Sequence, residues 1–490
     1  MQPFSSLIIP DKNSKQPVYI QIANQLMDLI RKGLLKTGYK LPGSRQLAGS
    51  IHVHRKTVVR AYEELLAQGW LESRVGTGTF IAASFPELKP QFSLASPLKY
   101  NDSSKKSGFT FDIKPHLNRM LIKNNMKFHL DDGFPDPRLA PLEELSRAYR
   151  TQLLTGNSYA RLGYGDTAGS FWLRKELSEY LNETRGLQTS PENVLIIRGT
   201  VMGLYLASTG LLKKGDSVVL GELSWATATS NFLQAGANIL KISVDEFGIS
   251  IEALEKICLK QTIRMVYVTS HHHYPTTVAL RADRRIQLLH LSEKYGFIIF
   301  EDDYDYDFHY LSKPLLPLAG ADRSGMVLYC GSFTKAISPA FRVGYLVGSE
   351  NVISYLAQLR RIIDRQGDTM LENAMAELLQ NGVIQRHLRK SLRTYHKRRD
   401  YFCDLLKSEL HEHLHFQKPV GGMAIWTIFD KKIKLKELTS KALQNDLYFS
   451  DGSENNSATE IRNATRLGFA SSTTEELEEC VGIIKKILVK

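Results

Sequence analysis

The sequence predicts an α/β protein in which an N-terminal winged helix-turn-helix is joined by a linker to a larger domain on a mainly parallel sheet. Three observations predict it. Residues 17–83 read as three short helices and a hairpin, residues 84–126 are polar with little periodicity, and from about residue 127 strands alternate with amphipathic helices. At 490 residues the chain is too long for one core. With 43% hydrophobic and 23% charged residues it falls in the ordinary globular class.

In "PVYIQIANQLMDLIRKGLL", Ile22, Leu26 and Leu29 follow helical spacing, and Gly33 is a suitable stop. "LPGSRQLAGSIHV" predicts a short helix capped by Ser44. "HRKTVVRAYEELLAQGW" predicts a third helix with Val58, Tyr62, Leu65 and Leu66 on one side, closing at Gly69. "WLESRVGTGTFIA" alternates around Gly76 and Gly78 as a hairpin does. The second helix of such a motif enters the DNA major groove, so Arg45, Arg55, Lys56, Thr57 and Arg60 are the candidate DNA contacts. Arg74, in the wing, is a candidate for phosphate or the minor groove.

Charge supports a polyanion partner for the front end. Of the net +12, residues 1–83 carry +6, residues 84–126 carry +4 and the remaining 364 residues only +2. A soluble lysine-rich surface gives the same count and stays open as the plainer reading. Residues 84–126 are expected to form a linker of about 40 residues.

Beyond it, strands are predicted in "NVLIIRG", "DSVVLGE", "ANILKISV", "IRMVYVTS", "GFIIFEDDY", "MVLYCGSF" and "VGYLVG". Helices such as "SIEALEKICLK" and "ADRRIQLLHLSEKYG" separate most of them. From about residue 351 long helices dominate, and "GGMAIWTIF" and "ATRLGFAS" add strands to a smaller α+β lobe. No apolar run approaches the roughly 18 residues of a membrane span, and "MQPFSSLIIPDK" is not a signal peptide, so a cytoplasmic location is expected. Cys258, Cys330, Cys403 and Cys480 are far apart and read as reduced thiols.

The chemistry concentrates in "GSFTKAISPAFRVGYLVG". A lysine in a loop after a parallel strand presents its amine at the sheet's carboxyl edge, where ligands bind. Ser332, Thr334 and Arg342 suit a phosphate. A desolvated Lys335 has a lowered pKa and can form a Schiff base with an aldehyde. The set fits pyridoxal 5′-phosphate (PLP) but also many nucleotide sites. Upstream, Asp302 in "GFIIFEDDYDYDF" ends an apolar strand, as a carboxylate that keeps the PLP ring nitrogen protonated must. Tyr304, two residues on, shares its face and suits the phenolate oxygen O3′. A charged turn after a strand also explains "EDDYDYD", and Asp303, Asp305 and Asp307 are expected to be solvated.

These residues, with "RLGYGDTAG", "IIRGTVMGLYLAS", "HHHYPTT", "GGMAIW" and "TRLGFAS", make residues 127–490 resemble fold-type I PLP enzymes of the aspartate aminotransferase class. "LPGSRQLA", "VHRKTVVRAYEELLAQGWLES" and "GTGTFI" resemble GntR-type DNA-binding domains. The joined architecture resembles the MocR family of bacterial transcription regulators. The resemblance implies Lys335 as the Schiff-base lysine, Asp302 and Tyr304 as ring partners, and Ser332 and Arg342 as phosphate holders. It adds N–H groups around Thr200 and Val201, Trp225 stacked on the ring, Tyr274 at the cofactor and Arg466 as the clasp of an effector carboxylate. It further implies a homodimer that binds double-stranded DNA. An amine, an amino acid or PLP itself would be sensed through an aldimine at Lys335.

Departures from the family pattern are Gly43 and His54, where Ser is usual, and "GTVMGL", "GELSW" and "HHHYPTT". They leave effector choice and transaminase turnover open. Adjacent strand residues point to opposite faces, so His271–His273 make a poor metal set; His272 or His273 near the cofactor is the preferred reading. The rival from another class is a working aminotransferase with an accessory DNA-binding domain.

Overall fold

The computed structural model describes residues 4–83, 107, 109–117, 126–157, 159, 162–311, 315–455 and 462–489. The linker expected over 84–126 lies largely outside them. The chain separates into two units, residues 1–112 and 113–490.

In the first unit, helices Val18–Arg31, Ser44–Ser50 and Arg55–Ala67 are followed by strands β1 (Leu71–Arg74) and β2 (Gly78–Ile81), paired antiparallel. A short helix, Phe4–Leu7, precedes them and was not legible in the sequence. Ile22, Leu26, Leu47, Val58, Leu65 and Ile81 are buried together, so the apolar stripes of all three helices and the wing close one core. Gly43, not Ser44, occupies the cap of the second helix, and Ser44 is its first residue. The third helix is capped by His54, whose Nδ1 accepts the Lys56 N–H at 3.2 Å. An imidazole thus satisfies the orphan donor that a serine hydroxyl commonly takes.

In the second unit β3 (Phe128–His129) comes first, then β4 (Val194–Ile197), β5 (Ser217–Gly221) and β6 (Asn238–Ile242). A hairpin of β7 (Val244–Asp245) and β8 (Gly248–Ile249) precedes β9 (Met265–Val268), β10 (Ile298–Asp303), β11 (Val327–Ser332) and β12 (Gly344–Val347). Seven of these form one sheet in the order β4-β12-β11-β10-β9-β5-β6. All seven predicted strand segments are in it, although "ANILKISV" splits into β6 and β7. The strands β5, β6, β9, β10 and β11 are mutually parallel, while β12 runs antiparallel to both its neighbours. Its direction follows from the connection. Residues 333–343 are too few for a helical crossover, so the chain turns straight back. That tight return holds both Lys335 and Arg342.

The smaller lobe contains helix Val383–Leu410 and an antiparallel sheet of β13 (Leu414–Phe416), β14 (Ala424–Phe429) and β16 (Ala464–Gly468). Between them β15 (Leu447–Tyr448) pairs in parallel with β3. This pairing draws the segment after β3 across to the mouth of the large sheet.

Candidate functional site

The carboxyl ends of β4, β5, β9, β10 and β11 open on a cavity of about 910 Å³. Thr200, Val201, Trp225, Tyr274, Asp302, Tyr304, Thr334, Lys335, Arg342 and Arg466 all line it. Residues scattered over 267 positions of sequence therefore meet at the place where an open α/β sheet binds ligands. Ser332 does not line the cavity; its hydroxyl donates to Thr334 Oγ1 at 2.8 Å and accepts the Thr334 N–H at 3.0 Å, fixing the turn that carries Lys335.

Lys335 Nζ donates to the Gly133 carbonyl at 2.7 Å and lies 4.5 Å from the centre of the Phe134 ring. Burial lowers its pKa, the direction an amine needs to be nucleophilic. Asp302 is 3% exposed. Its Oδ2 accepts the Tyr267 hydroxyl at 2.8 Å, while its Oδ1 is buried without a hydrogen-bond partner. Burial pushes this carboxyl from 3.8 up to about 7. An orphaned buried carboxylate oxygen at a ligand cavity calls for a donor from outside the chain. A protonated pyridine nitrogen is such a donor, so the site fits PLP. Tyr304 donates its hydroxyl to the His272 carbonyl at 3.0 Å.

At the phosphate end, Arg342 has φ of 51° and donates from Nη2 to the Arg198 carbonyl at 2.7 Å. Gly199, with φ of 74°, begins helix Thr200–Leu211, and a Cβ there would meet the Arg342 guanidinium at 3.0 Å. Glycine thus lets the arginine lie against a helix start whose first N–H groups, at Thr200 and Val201, have no acceptor within the helix. Trp225 stands just before helix Ala226–Gln234.

Arg466, on β16, is 5% exposed. Its Nε lies 2.6 Å from Asp132 Oδ1, its Nη1 donates to the Pro275 carbonyl at 3.1 Å, and its guanidinium lies 4.9 Å from the centre of the Tyr274 ring. Asp132 belongs with Asp131 to the segment that β3 delivers, and Tyr267 to β9; sequence reasoning missed all three. The run "DDGFPDP" carries the only signal, two carboxylates before a glycine whose carbonyl Lys335 uses.

The expectation that Asp303, Asp305 and Asp307 are solvated is corrected. Asp303 and Asp305 are buried, and Asp307 is half-buried. Asp303 accepts the Tyr329 hydroxyl at 2.6 Å and lies 3.3 Å from His271 Nδ1, while Asp305 Oδ1 is 2.8 Å from His272 Nδ1. Asp307 accepts from Arg185 Nη2 at 2.8 Å. The alternation of the strand end against the histidine run interleaves two carboxylates with two imidazoles. Burial alone would raise Asp303, but His271 outweighs it and holds the carboxyl below its ordinary value. His273 hydrogen-bonds Thr276 Oγ1 at 2.9 Å, and burial with Arg466 nearby pushes it down to about 4. Among the described residues no group of three or more His, Cys, Asp or Glu could hold a metal ion.

In the first unit Arg45, Arg55, Lys56 and Arg60 are exposed and Thr57 is half-buried. Arg55 and Lys56 open the third helix. Arg60 packs over the Tyr19 ring at 4.1 Å. Arg74 is bound to Glu72 at 2.6 Å and covers Phe80 at 4.6 Å, which ties the wing arginine to its own hairpin.

A lysine and an orphaned carboxylate at the carboxyl edge of such a sheet, on a chain that also carries a winged helix-turn-helix, define a PLP-binding aminotransferase-type domain coupled to a DNA-binding module. Comparison with known proteins agrees. Aminotransferase class I and II matches residues 134–484, and the gntR family of bacterial regulatory proteins matches residues 18–81. The chain is 27% identical to the probable rhizopine catabolism regulatory protein MocR of Rhizobium meliloti, over 98% of this chain and 95% of that protein. It is 30% identical to the uncharacterized HTH-type transcriptional regulator YisV of Bacillus subtilis (strain 168), over 96% and 95% respectively. Among solved structures it resembles LysN, an α-aminoadipate aminotransferase from Thermus thermophilus complexed with N-(5′-phosphopyridoxyl)-L-leucine. There the TM-score is 0.69 at 26% identity, over 74% of this chain and 92% of that one. The chain belongs to the MocR-type regulators, a gntR-family DNA-binding domain joined to an aminotransferase class I and II domain, and its cofactor is PLP. Among the described residues no helix is long and apolar enough to cross a membrane.

Proposed function

We propose that this protein is a DNA-binding transcription regulator that senses an amine, an amino acid or PLP at Lys335. The observation that carries the reading is the unpartnered Asp302 Oδ1 facing the same cavity as the Lys335 amine. PLP supplies an electron sink and an aldehyde when bound. In this reading Lys335 Nζ is the amine that tethers it, Asp302 keeps its ring nitrogen protonated and Tyr304 bonds O3′. Arg342, Thr334 and the N–H groups of Thr200 and Val201 hold the phosphate, with Ser332 acting through Thr334. Trp225 and Tyr274 flank the ring, and Arg466 meets the far end of the effector.

The reading divides the chain at residues 1–83, 84–126 and 127–490. It places the third helix of the first domain in the major groove through Arg55, Lys56, Thr57 and Arg60, with Arg45 of the second helix beside it. A homodimer would present two such helices to two half-sites. An effector regulates only if it binds the two DNA-binding states with different affinity.

The test is spectral. The protein saturated with PLP should absorb in the visible, Lys335→Ala should not, and Lys335→Ala should still bind its own upstream DNA. A preparation that stays colourless in PLP overturns the reading. A working aminotransferase remains the rival, favoured by the structural likeness to an enzyme. It predicts turnover of an amino donor with a keto acid at about 1 s⁻¹ or more.

A further inference from the structure

We infer that Tyr267 is a positioning residue for the cofactor: its hydroxyl fixes the Asp302 carboxylate and so keeps the proton between acid and cofactor on the PLP ring nitrogen. The inference rests on the proposed function and deepens it by adding a residue that acts on the ring through Asp302.

Tyr267 belongs to β9 and Asp302 to the neighbouring β10, and both line the cavity. The tyrosine is 4% exposed, and its ring packs edge-on to Phe232 at 6.0 Å and stacked on Phe300 at 6.1 Å. A core position beside two phenylalanines calls for an apolar ring. The buried hydroxyl needs a partner and finds it in the acid that the cofactor uses, at 2.8 Å from Asp302 Oδ2. A ring packed this closely has little room to swing that hydroxyl away. The bond occupies one carboxylate oxygen and leaves the other, Oδ1, without a partner among the described residues.

The hydroxyl also bears on the charge. Burial acts most strongly on Asp302 and favours the neutral acid, and the Tyr267 hydrogen bond opposes it. Asp303 and Asp305 push with burial, Lys335 pushes against it, and the carboxyl comes to about 7. Tyr304 and Cys330 also face the pair, and burial pushes both well above their ordinary values, so they stay neutral. Tyr267 is itself pushed well up by burial and by Asp302, so it remains a donor. A hydrogen bond to a carboxylate is roughly twice as strong as one to a neutral acid. Losing the hydroxyl therefore moves the balance about tenfold toward the neutral acid. Near its midpoint, a carboxyl shifted by that factor takes the proton from the ring nitrogen onto Oδ1, with no change in total charge. Only a protonated ring nitrogen makes PLP a strong electron sink.

The test uses Tyr267→Phe, which keeps the ring and removes the hydroxyl, loaded with PLP carrying 15N in its ring. The 15N chemical shift at pH 7 reports whether the nitrogen holds a proton. Against wild type, Tyr267→Phe should move the ratio of protonated to unprotonated nitrogen down about tenfold. In the opposite direction, 3-fluorotyrosine at position 267, a stronger donor of nearly the same shape, should raise it; should Tyr267→Phe not fold, that result decides alone. Equilibrium dialysis supplies a second readout. Tyr267→Phe should weaken PLP binding, whereas in an Asp302→Asn background, with no carboxylate to act on, it should change the affinity by less than about twofold. A ring nitrogen unmoved by both changes at position 267, or an equal loss of affinity with and without Asp302→Asn, overturns this inference alone. A wild-type protein that never takes up PLP overturns the proposed function and this inference with it.

Discussion

Asp302→Asn in the cofactor-free protein separates the energetic role of the buried carboxylate from its role with the cofactor. Burial moves this carboxyl from 3.8 to about 7. At about 1.4 kcal/mol per unit, the ionised form in the empty site costs up to about 4 kcal/mol. The folded value lies above the unfolded one, so the folded chain holds an extra proton between them. Stability is therefore full below 3.8 and is lost as pH rises to about 7. An asparagine has no charge to bury and still offers an oxygen to the Tyr267 hydroxyl. Without PLP, Asp302→Asn should be more stable than wild type by roughly 2–4 kcal/mol at about pH 8, and by less than half that near pH 5. PLP should reverse the order, because only the carboxylate pairs with a protonated ring nitrogen and a ligand stabilises in proportion to its affinity. Urea unfolding followed by tryptophan fluorescence is the assay, since Trp172, Trp225 and Trp426 lie in the second unit. Equal pH dependence of the two apoproteins, or equal protection of both by PLP, would refute the reasoning.

Two further substitutions probe the rest of the chain. Arg55→Ala should weaken DNA binding and lower its salt slope by about 1, and Arg74→Ala should matter less because Arg74 is already held by Glu72; unchanged affinity for Arg55→Ala in a salt titration would refute the helix placement. His272→Ala leaves the buried Asp305 Oδ1 without its hydrogen-bond partner and should cost about 1–3 kcal/mol in urea unfolding; unchanged stability would mean that the bond contributes nothing net.

The sequence disclosed what depends on local pattern and withheld what depends on partners. Apolar runs bounded by Gly and polar residues announced all seven strands of the large sheet, and helical periodicity announced the three helices of the front unit. Strand direction was not legible in "VGYLVG", because β12 is turned by the shortness of the connection before it rather than by anything within it. The same limit explains the aspartates. "EDDYDYD" reads as a solvated turn because nothing local says that His271 and His272 arrive from 30-odd residues upstream to meet Asp303 and Asp305. Charge in a sequence predicts exposure only while its counter-charge is out of view. Arg466 carries this furthest. Its position in "TRLGFA" identified it as a clasp through resemblance alone, and resemblance describes what the arginine does when its partner is a ligand. The β3–β15 pairing, two residues long on each side, brings Asp132 to it from more than 300 positions away. The acid that lies against this arginine is therefore outside every motif that identified the site.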